Sequence, residues 1–312
     1  MDDDQKHTLT SHIASYWRVK TVSFTIKGER WSCITQGDPK AEPIIFLHGL
    51  GTNKSLWRSQ MQSYDNKDYY RIALNIPGAC LTQYFNDRRH TLHELCRWLD
   101  DTLDWFGFEK VNIIAHSMLS LLSTFYTATR QDRVKTLTLI SIPDLWGSGE
   151  GGERSKDITK KMRGDIDHQS VDDTIEFMSS LFYNPPNLPK ALYHSSFLRI
   201  KKFIDKFSTV LDDLEQGLPL IMPQTKNIKC PLLIINGERD PYSSKEFIES
   251  LHWHYPTVNA VNLLQCAHLL MVEKPIELHK IHVQFLNHGY VTATSDYSDI
   301  VHTQYTFQPE YS

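Results

Sequence analysis

Ser117 is the residue whose type and position most directly indicate chemistry. It follows an apolar, β-branched run at residues 111–114, which is typical of a short buried strand. A second apolar run, at residues 118–126, has helical length. A serine on a sharp turn between a strand and a helix holds its hydroxyl above the edge of a parallel sheet, beside the first helical N–H groups. The stretch therefore indicates a nucleophilic serine, although a serine after a strand can also serve only as a helix N-cap.

An acidic residue and a histidine follow two later apolar runs. Asp240 lies in the turn after residues 231–236, and His268 lies shortly after residues 258–264. Both runs are typical of buried strands. Serine, aspartate and histidine at strand ends are the residue types of nucleophilic catalysis, in which a base activates a hydroxyl and an acid orients the base.

Strand and helix patterns alternate in the part of the chain that must position these residues. Besides the strands above, strands are predicted at residues 19–26, 31–35, 43–47, 70–74 and 134–142, and helices at residues 54–64, 91–106, 244–253 and 275–286. The first two strands flank a short turn and form a predicted hairpin. The alternation that follows predicts a parallel sheet with helices on both faces.

The alternation stops after Pro143 and resumes near residue 227. Residues 144–226 contain many charges, several helical patterns and few strand signals. We therefore expect one core made of residues 1–143 and 227–289, interrupted by a helical cap at residues 144–226 that we call the insertion. Its aromatic side chains could line a pocket, although most are expected to pack the insertion against itself. Residues 290–312 are predicted to form a polar C-terminal tail.

Composition excludes several classes of function. The chain has 312 residues, 22% charged and 40% hydrophobic, with a net charge of −4, which favours neither nucleic acid nor an anionic membrane as a partner. No stretch approaches the length of a membrane span, and the acidic N-terminus lacks the apolar core of a signal peptide. The five scattered cysteines lack CxxC spacing, which favours reduced thiols and a cytoplasmic location. No metal, nucleotide or flavin signature is present, so no cofactor is expected.

The order of these motifs resembles the α/β-hydrolase fold over residues 19–287. The matching pieces are the strand ending in His48-Gly49, the turn at Ser117, the Gly237-x-x-Asp240 turn, and His268 followed by Glu273 and Pro275. The chain order Ser, Asp, His is the one this fold uses. The resemblance implies a mostly parallel central sheet with helices on both faces and an inserted helical cap.

The chemistry of the residue types then assigns the roles. Ser117 is the expected nucleophile, and His268 takes its proton and later passes it to the leaving alcohol. Asp240 holds the His268 imidazole in the correct tautomer. Asp144 is a second candidate acid, because some relatives of this fold place the acid after the corresponding strand.

Two backbone N–H groups are expected to stabilise the oxyanion of the tetrahedral intermediate. They belong to Met118, which follows the nucleophile, and to Leu50, in the loop after His48-Gly49. His48 is expected to hold that loop by side-chain hydrogen bonds. His116 is expected to point away from the Ser117 hydroxyl.

The turn at Ser117 departs from the family pattern G-x-S-x-G. The chain reads Ala115-x-Ser117-x-Leu119, so a branched side chain occupies a position where backbone is usually crowded. Leu119 could tilt the helix, reshape the oxyanion site, or mark an inactive relative that only binds a ligand. The change from Asp-x-x-Gly to Asn75-x-x-Gly78 is expected to be harmless.

The sequence thus favours a serine hydrolase, carboxylesterase-like or lipase-like, that cleaves a small, partly apolar carboxylic ester through an acyl-enzyme. An amide, thioester or C–C bond hydrolase remains open, as does a non-catalytic ligand-binding protein. An enzyme with another nucleophile, such as Cys266, is a further alternative. A serine at the turn argues against haloalkane dehalogenases and epoxide hydrolases, which resemble this architecture but attack with a carboxylate.

Overall fold

One sheet organises the fold. The structure is a computed structural model, and it describes residues 19–79, 91–145, 153–255, 258–291 and 301–306. The strands of these residues are β1 (Lys20–Ile26), β2 (Glu29–Gln36), β3 (Glu42–Leu47), β4 (Tyr69–Leu74), β5 (Val111–His116), β6 (Val134–Ile140), β7 (Leu232–Gly237), β8 (Val258–Leu263) and β9 (Val301–Thr306). Their order across the sheet is β1-β2-β4-β3-β5-β6-β7-β8-β9.

The sheet is mostly parallel, as predicted. The pairs from β4 through β3, β5, β6 and β7 to β8 are all parallel, whereas β1, β2 and β9 pair antiparallel at the two margins. Parallel neighbours end at the same edge of a sheet. The turns after β3, β5, β7 and β8 therefore meet along one edge, where ligand sites of open α/β sheets are found.

Helices connect the strands and cover both faces of the sheet. They are α1 (Arg58–Gln62), α2 (Leu92–Phe106), α3 (Leu119–Thr129), α4 (Glu153–Ile166), α5 (Val171–Ser180), α6 (Lys190–Ile221), α7 (Lys245–His254), α8 (Leu270–Glu273) and α9 (Pro275–His288), with 3-10 helices at Lys54–Trp57 and Met222–Asn227. Local sequence sets the ends of α2. Thr91 and Glu94 form a capping box at its start, and Gly107 ends it in the left-handed conformation.

Buried side chains form one cluster on each face of the sheet. On β3, Ile45 and Leu47 belong to the cluster that contains residues of α2 and α3. Ile44 and Phe46 belong to the cluster that contains residues of α1 and α9. Because successive strand residues face opposite sides, a strand buried on both faces is apolar at every position, which explains the unbroken apolar runs in the sequence.

The described part of the insertion is helical and contains α4, α5 and α6, followed by the 3-10 helix that begins at Met222. The segment Asn184-Pro185-Pro186 lies between α5 and α6. Arg163 of α4 pairs with Asp212 and Glu215 of α6 at 2.6 and 2.9 Å. The glycine-rich stretch at residues 147–152, for which the sequence suggests a flexible entry to the insertion, lies outside the described residues.

Strand β9 was not predicted. It pairs antiparallel with β8 at the sheet margin, within a segment whose polar composition suggested only a tail. None of the helices that the structure describes has the length and apolar character needed to cross a bilayer.

Candidate active site

Ser117 lies on the predicted sharp turn between β5 and α3. Its backbone adopts φ of 57°, in the left-handed region that few non-glycine residues occupy. The Ser117 N–H donates to the Ile140 carbonyl at 2.9 Å, and the Ser117 carbonyl accepts from the Ser120 N–H at 2.8 Å. These bonds join the turn to β6 on one side and to α3 on the other, and thereby hold a strained conformation at the edge of the sheet.

The loop after β3 approaches this turn closely at Gly49. A Cβ atom at Gly49 would lie 2.7 Å from His116 Nδ1 and 3.1 Å from Ser117 Cβ. A side chain there would displace the histidine ring or the serine. Glycine at this position therefore allows the loop that carries Leu50 to lie against the turn that carries Ser117.

The structure brings Ser117, His268 and Asp240 together in one hydrogen-bonded chain. The Ser117 hydroxyl and His268 Nε2 are 3.0 Å apart. His268 Nδ1 lies 2.9 Å from Asp240 Oδ2 and 3.0 Å from Oδ1. Because a carboxylate only accepts, it favours the tautomer with a proton on Nδ1, which leaves Nε2 free to accept from serine.

The carboxylate that His268 contacts is that of Asp240. Asp240 Oδ1 also accepts from the Tyr242 N–H at 2.9 Å, which fixes the turn after β7. Asp144, the other candidate, is buried nearby, where its backbone N–H donates to the Tyr242 carbonyl at 2.8 Å. In this geometry, Asp240 is therefore the residue whose carboxylate is hydrogen-bonded to Nδ1 of the His268 imidazole.

Two residues outside the expected triad, His116 and Ser141, hold the backbone of His268. The His268 carbonyl accepts from His116 Nε2 at 2.9 Å and from the Ser141 hydroxyl at 2.8 Å. Burial, followed by the nearby His268 charge, holds the pKa of His116 well below its usual value. His116 is therefore a neutral donor. A sequence signal existed for Ser141, which directly follows β6 at the same edge of the sheet.

A small cavity opens beside the Ser117 hydroxyl. Its volume is about 70 Å³. It is lined by Leu50, Thr52, His116, Ser117, Met118, Met162, Ile166, Phe177, Leu181, Leu211, Tyr242, His268 and Leu269. The lining is mainly apolar, comes from both the core and the insertion, and contains no lysine or arginine among the described residues. Leu119 is buried but lies outside this lining.

Leu50 and Met118, the two predicted oxyanion donors, both line this cavity. Within the residues that the structure describes, neither N–H donates to another protein group. His48 holds the loop of Leu50, since its Nδ1 donates to the Gly49 carbonyl at 2.8 Å and its Nε2 accepts from the Ile76 N–H at 3.2 Å. Burial lowers the pKa of His48 to about 4, so both bonds are made by the neutral ring.

Cys266, the alternative nucleophile, is buried, and its thiol donates to the Leu263 carbonyl at 3.5 Å. Burial raises the pKa of the Cys266 thiol to about 12. A thiol in this state is a poor nucleophile at neutral pH, because the thiolate is the reactive form. No group of three potential metal ligands occurs among the described residues.

The amino-acid sequence is similar to those of known proteins. A family model of the alpha/beta hydrolase fold matches residues 42–275. The chain is 24% identical over 213 residues to (E)-2-((N-methylformamido)methylene)succinate hydrolase of Acinetobacter baylyi, an alignment that covers 66% of this chain and 76% of the relative. It is 23% identical over 288 residues to Lipase 1 of Psychrobacter immobilis, and this alignment covers 85% of this chain and 84% of the relative.

A solved structure has the same fold. Naproxen esterase from Bacillus subtilis superposes with a TM-score of 0.65 at 18% sequence identity, and the match covers 90% of this chain and 96% of that one. Ser117, Asp240 and His268 all lie within residues 42–275, at the edge where the sheet's parallel strands end.

Proposed function

Because the chain belongs to the alpha/beta hydrolase fold family, we propose that it is a serine hydrolase that cleaves a carboxylic ester through an acyl-enzyme. The observation that carries the proposal is the hydrogen-bonded chain from Asp240 through His268 to the Ser117 hydroxyl. A serine hydroxyl is a weak nucleophile at neutral pH, and a neutral imidazole within hydrogen-bond distance activates it.

In the proposed reaction, Ser117 Oγ attacks the ester carbonyl while its proton moves to His268 Nε2. The tetrahedral intermediate collapses, the bond to the alcohol breaks, and the alcohol leaves with the proton from Nε2. Water then attacks the acyl-enzyme with His268 again as base, which releases the acid and restores Ser117.

The N–H groups of Leu50 and Met118 are the proposed donors to the oxyanion. Both residues line the cavity beside Ser117, and their N–H groups make no other bond within the described chain. Donors that are already oriented need not reorganise as charge develops on the carbonyl oxygen, which is the main electrostatic contribution to acyl transfer.

Asp240 and His116 are proposed to govern the charge on His268. Asp240 stabilises the imidazolium that forms when His268 takes the proton. His116 lies close, with its ring centroid 4.7 Å from that of His268. Because the lowered pKa of His116 keeps it neutral, it adds no positive charge beside the imidazolium.

The lining of the cavity favours an uncharged, small and partly apolar acyl group. The relative from Acinetobacter baylyi is named for a substituted succinate, and a dicarboxylate needs cationic or strongly donating partners when it is buried. The described lining offers apolar side chains from the insertion and no cation. We infer that the insertion is a cap that selects neutral esters, and that it opens to admit them.

Replacement of the nucleophile tests this proposal. Ser117→Ala should lower the hydrolysis of p-nitrophenyl butyrate by at least about three orders of magnitude, because members of a triad act as a unit. The matched control is Ser123→Ala, which removes a buried hydroxyl whose hydrogen bond, within the described part of the chain, is the one to the Leu119 carbonyl in α3. Near wild-type turnover by Ser117→Ala would refute the assignment, and a preference for an anionic hemisuccinate ester over the butyrate would refute the substrate class.

A further inference from the structure

The carboxylate of Glu273 joins the insertion to the loop that carries His268. Glu273 ends α8, five residues after His268. Its Oε2 accepts from the Ala267 N–H at 2.8 Å. Its Oε1 accepts from the N–H groups of Tyr183 and Asn184 at 2.8 and 3.2 Å. One side chain thus satisfies three backbone donors that belong to two distant segments of the chain.

The same two segments are joined directly by their backbones. The Leu181 carbonyl accepts from the N–H groups of both His268 and Leu269, at 3.1 and 3.3 Å. Leu181 and Leu269 also line the cavity beside Ser117. Residues 181–184, which we call the clamp segment, therefore form part of the substrate wall and at the same time fix the backbone of the proposed base.

A third loop contacts the clamp segment. The guanidinium group of Arg239 lies over the Tyr183 ring, 5.0 Å from its centroid. Arg239 directly precedes Asp240, so the loop of the acid and the loop of the base both meet the insertion at residues 181–184.

We propose that Glu273 is a positioning residue that couples the closed position of the insertion to the placement of His268. The inference rests on the proposed esterase function for its kinetic consequence, but the coupling itself is a property of the fold. An ionised acceptor shared by three N–H groups makes stronger bonds than a neutral one, and leaving those donors unpaired is costly. Loss of the carboxylate releases the clamp segment and, through Leu181, the backbone of His268.

Two substitutions at Glu273 remove one or both of its acceptor oxygens. Glu273→Gln keeps one acceptor oxygen, which can serve one segment at a time, whereas Glu273→Ala removes both acceptors. We expect kcat to fall about tenfold in Glu273→Gln and about a hundredfold in Glu273→Ala, with a smaller change in KM, because small misplacements of a base lower the chemical step most. The matched control is Glu277→Gln, four residues further on in α9.

A backbone substitution tests the coupling with Glu273 intact. Asn184→Pro removes the Asn184 N–H that faces Glu273, whereas Asn184→Ala keeps it. Asn184→Pro should lower kcat and Asn184→Ala should not.

Hydrogen exchange provides a readout that does not depend on activity. In Glu273→Ala, exchange should accelerate at residues 181–184 and 267–269 together and remain unchanged in β5 and α3. If the Glu273→Ala variant has the same exchange rates and the same kcat as the wild-type protein, the proposal is overturned. Faster exchange in only one of the two segments would overturn it as well. A wild-type protein without esterase activity would refute the proposed function, and the exchange pattern would still decide the coupling. Should Glu273→Ala fail to fold, Glu273→Gln and the Asn184 pair decide it by the same criteria.

Discussion

The expected reactivity of the Ser117 hydroxyl depends on the groups that form hydrogen bonds with His268. Asp240 accepts from Nδ1, Nε2 faces Ser117, and the backbone carbonyl of His268 accepts from His116 and Ser141. These bonds fix both the tautomer and the orientation of the imidazole. At the scale of single residues, the site is therefore a hydrogen-bond network centred on one histidine.

Leu119 modifies the core and not the pocket. It is buried in the cluster on the α2 and α3 face of the sheet and is absent from the cavity lining. The branched side chain thus takes part in helix packing. This position favours a turn that accommodates Leu119 over a site that Leu119 impairs. The departure from G-x-S-x-G gives little support to the alternative of a non-catalytic binding protein.

Asn replacements at the two candidate acids test which one serves His268. In Asp240→Asn, the side-chain amide can donate to Nδ1, which favours the tautomer with a proton on Nε2 and removes the base. We expect the ester hydrolysis rate near neutral pH to fall about 10³- to 10⁴-fold. Asp144→Asn should stay within about tenfold of the wild type, because the carboxylate that His268 Nδ1 contacts is that of Asp240. A severe loss in Asp144→Asn with little change in Asp240→Asn would reverse the assignment.

The sequence predicted the residues at strand ends but not the contacts between them. Ser117, Asp240 and His268 each follow an apolar run, which local pattern reveals. The bonds to the His268 carbonyl join residues separated by 152 and 127 positions. The acceptor in these bonds, like that of the Leu181 contact, is a backbone carbonyl, which leaves no trace in residue type. Only the packing of the strands reveals them.

Among the elements, the ends of β7 and β8 approach each other at Gly237. A Cβ atom there would lie 2.2 Å from the Ala267 carbonyl oxygen and 2.8 Å from that of Cys266. Both obstacles are backbone, so a side chain would push the loops of Asp240 and His268 apart. The close approach therefore requires a residue without a Cβ atom, which is why position 237 is glycine.

Gly237→Ala should therefore damage both stability and activity. We expect a loss of about 1–3 kcal/mol in the free energy of unfolding, as for overpacked interiors, and a drop in kcat of at least tenfold because the Asp240–His268 bond lengthens. Gly164→Ala is the control, since nothing lies within 4 Å of its Cβ position in α4. Urea unfolding and ester hydrolysis measure both effects. An active, stable Gly237→Ala protein would contradict the close approach.

Element types were predictable where hydrophobic pattern was strong. The hairpin of β1 and β2, the buried strands and α2 lie close to their predicted positions. The predicted helix at residues 54–64 is divided into a 3-10 turn, Lys54–Trp57, and the short helix α1. Strand β9 has a polar sequence, and only its pairing with β8 reveals it as a strand. Pairing partners across the sheet are not encoded locally.

At the scale of the whole molecule, buried neutral histidines link stability to pH. Burial lowers the pKa of His48 to about 4 and that of His282 to about 3, from 6.5, and the pKa of His116 is also well below that value. Below pH 6.5 the unfolded chain binds protons that the folded chain does not. Stability conferred by the neutral rings is complete above pH 6.5 and is lost as pH falls towards the folded pKa values.

The free energy of unfolding should fall steeply between pH 6.5 and 5. Each of these histidines should contribute a slope of about 1.4 kcal/mol per pH unit near the lower end of this range. His282→Gln, which is remote from Ser117, should reduce the slope by the contribution of one histidine while the kinetics of ester hydrolysis remain unchanged. Urea titrations at several pH values measure the slope. A stability that is flat over this range, or an unchanged slope in His282→Gln, would contradict the assigned protonation states.

Labelling with a fluorophosphonate, followed by peptide mapping, tests directly whether Ser117 is an activated nucleophile. The reagent reacts with a serine only when a base activates the hydroxyl and an oxyanion site receives the phosphoryl oxygen. We expect one adduct, on the peptide that contains Ser117, which is absent in Ser117→Ala and forms much more slowly in Asp240→Asn. An unlabelled wild-type protein, or an adduct on a different residue, would contradict the assignment of Ser117 as the nucleophile.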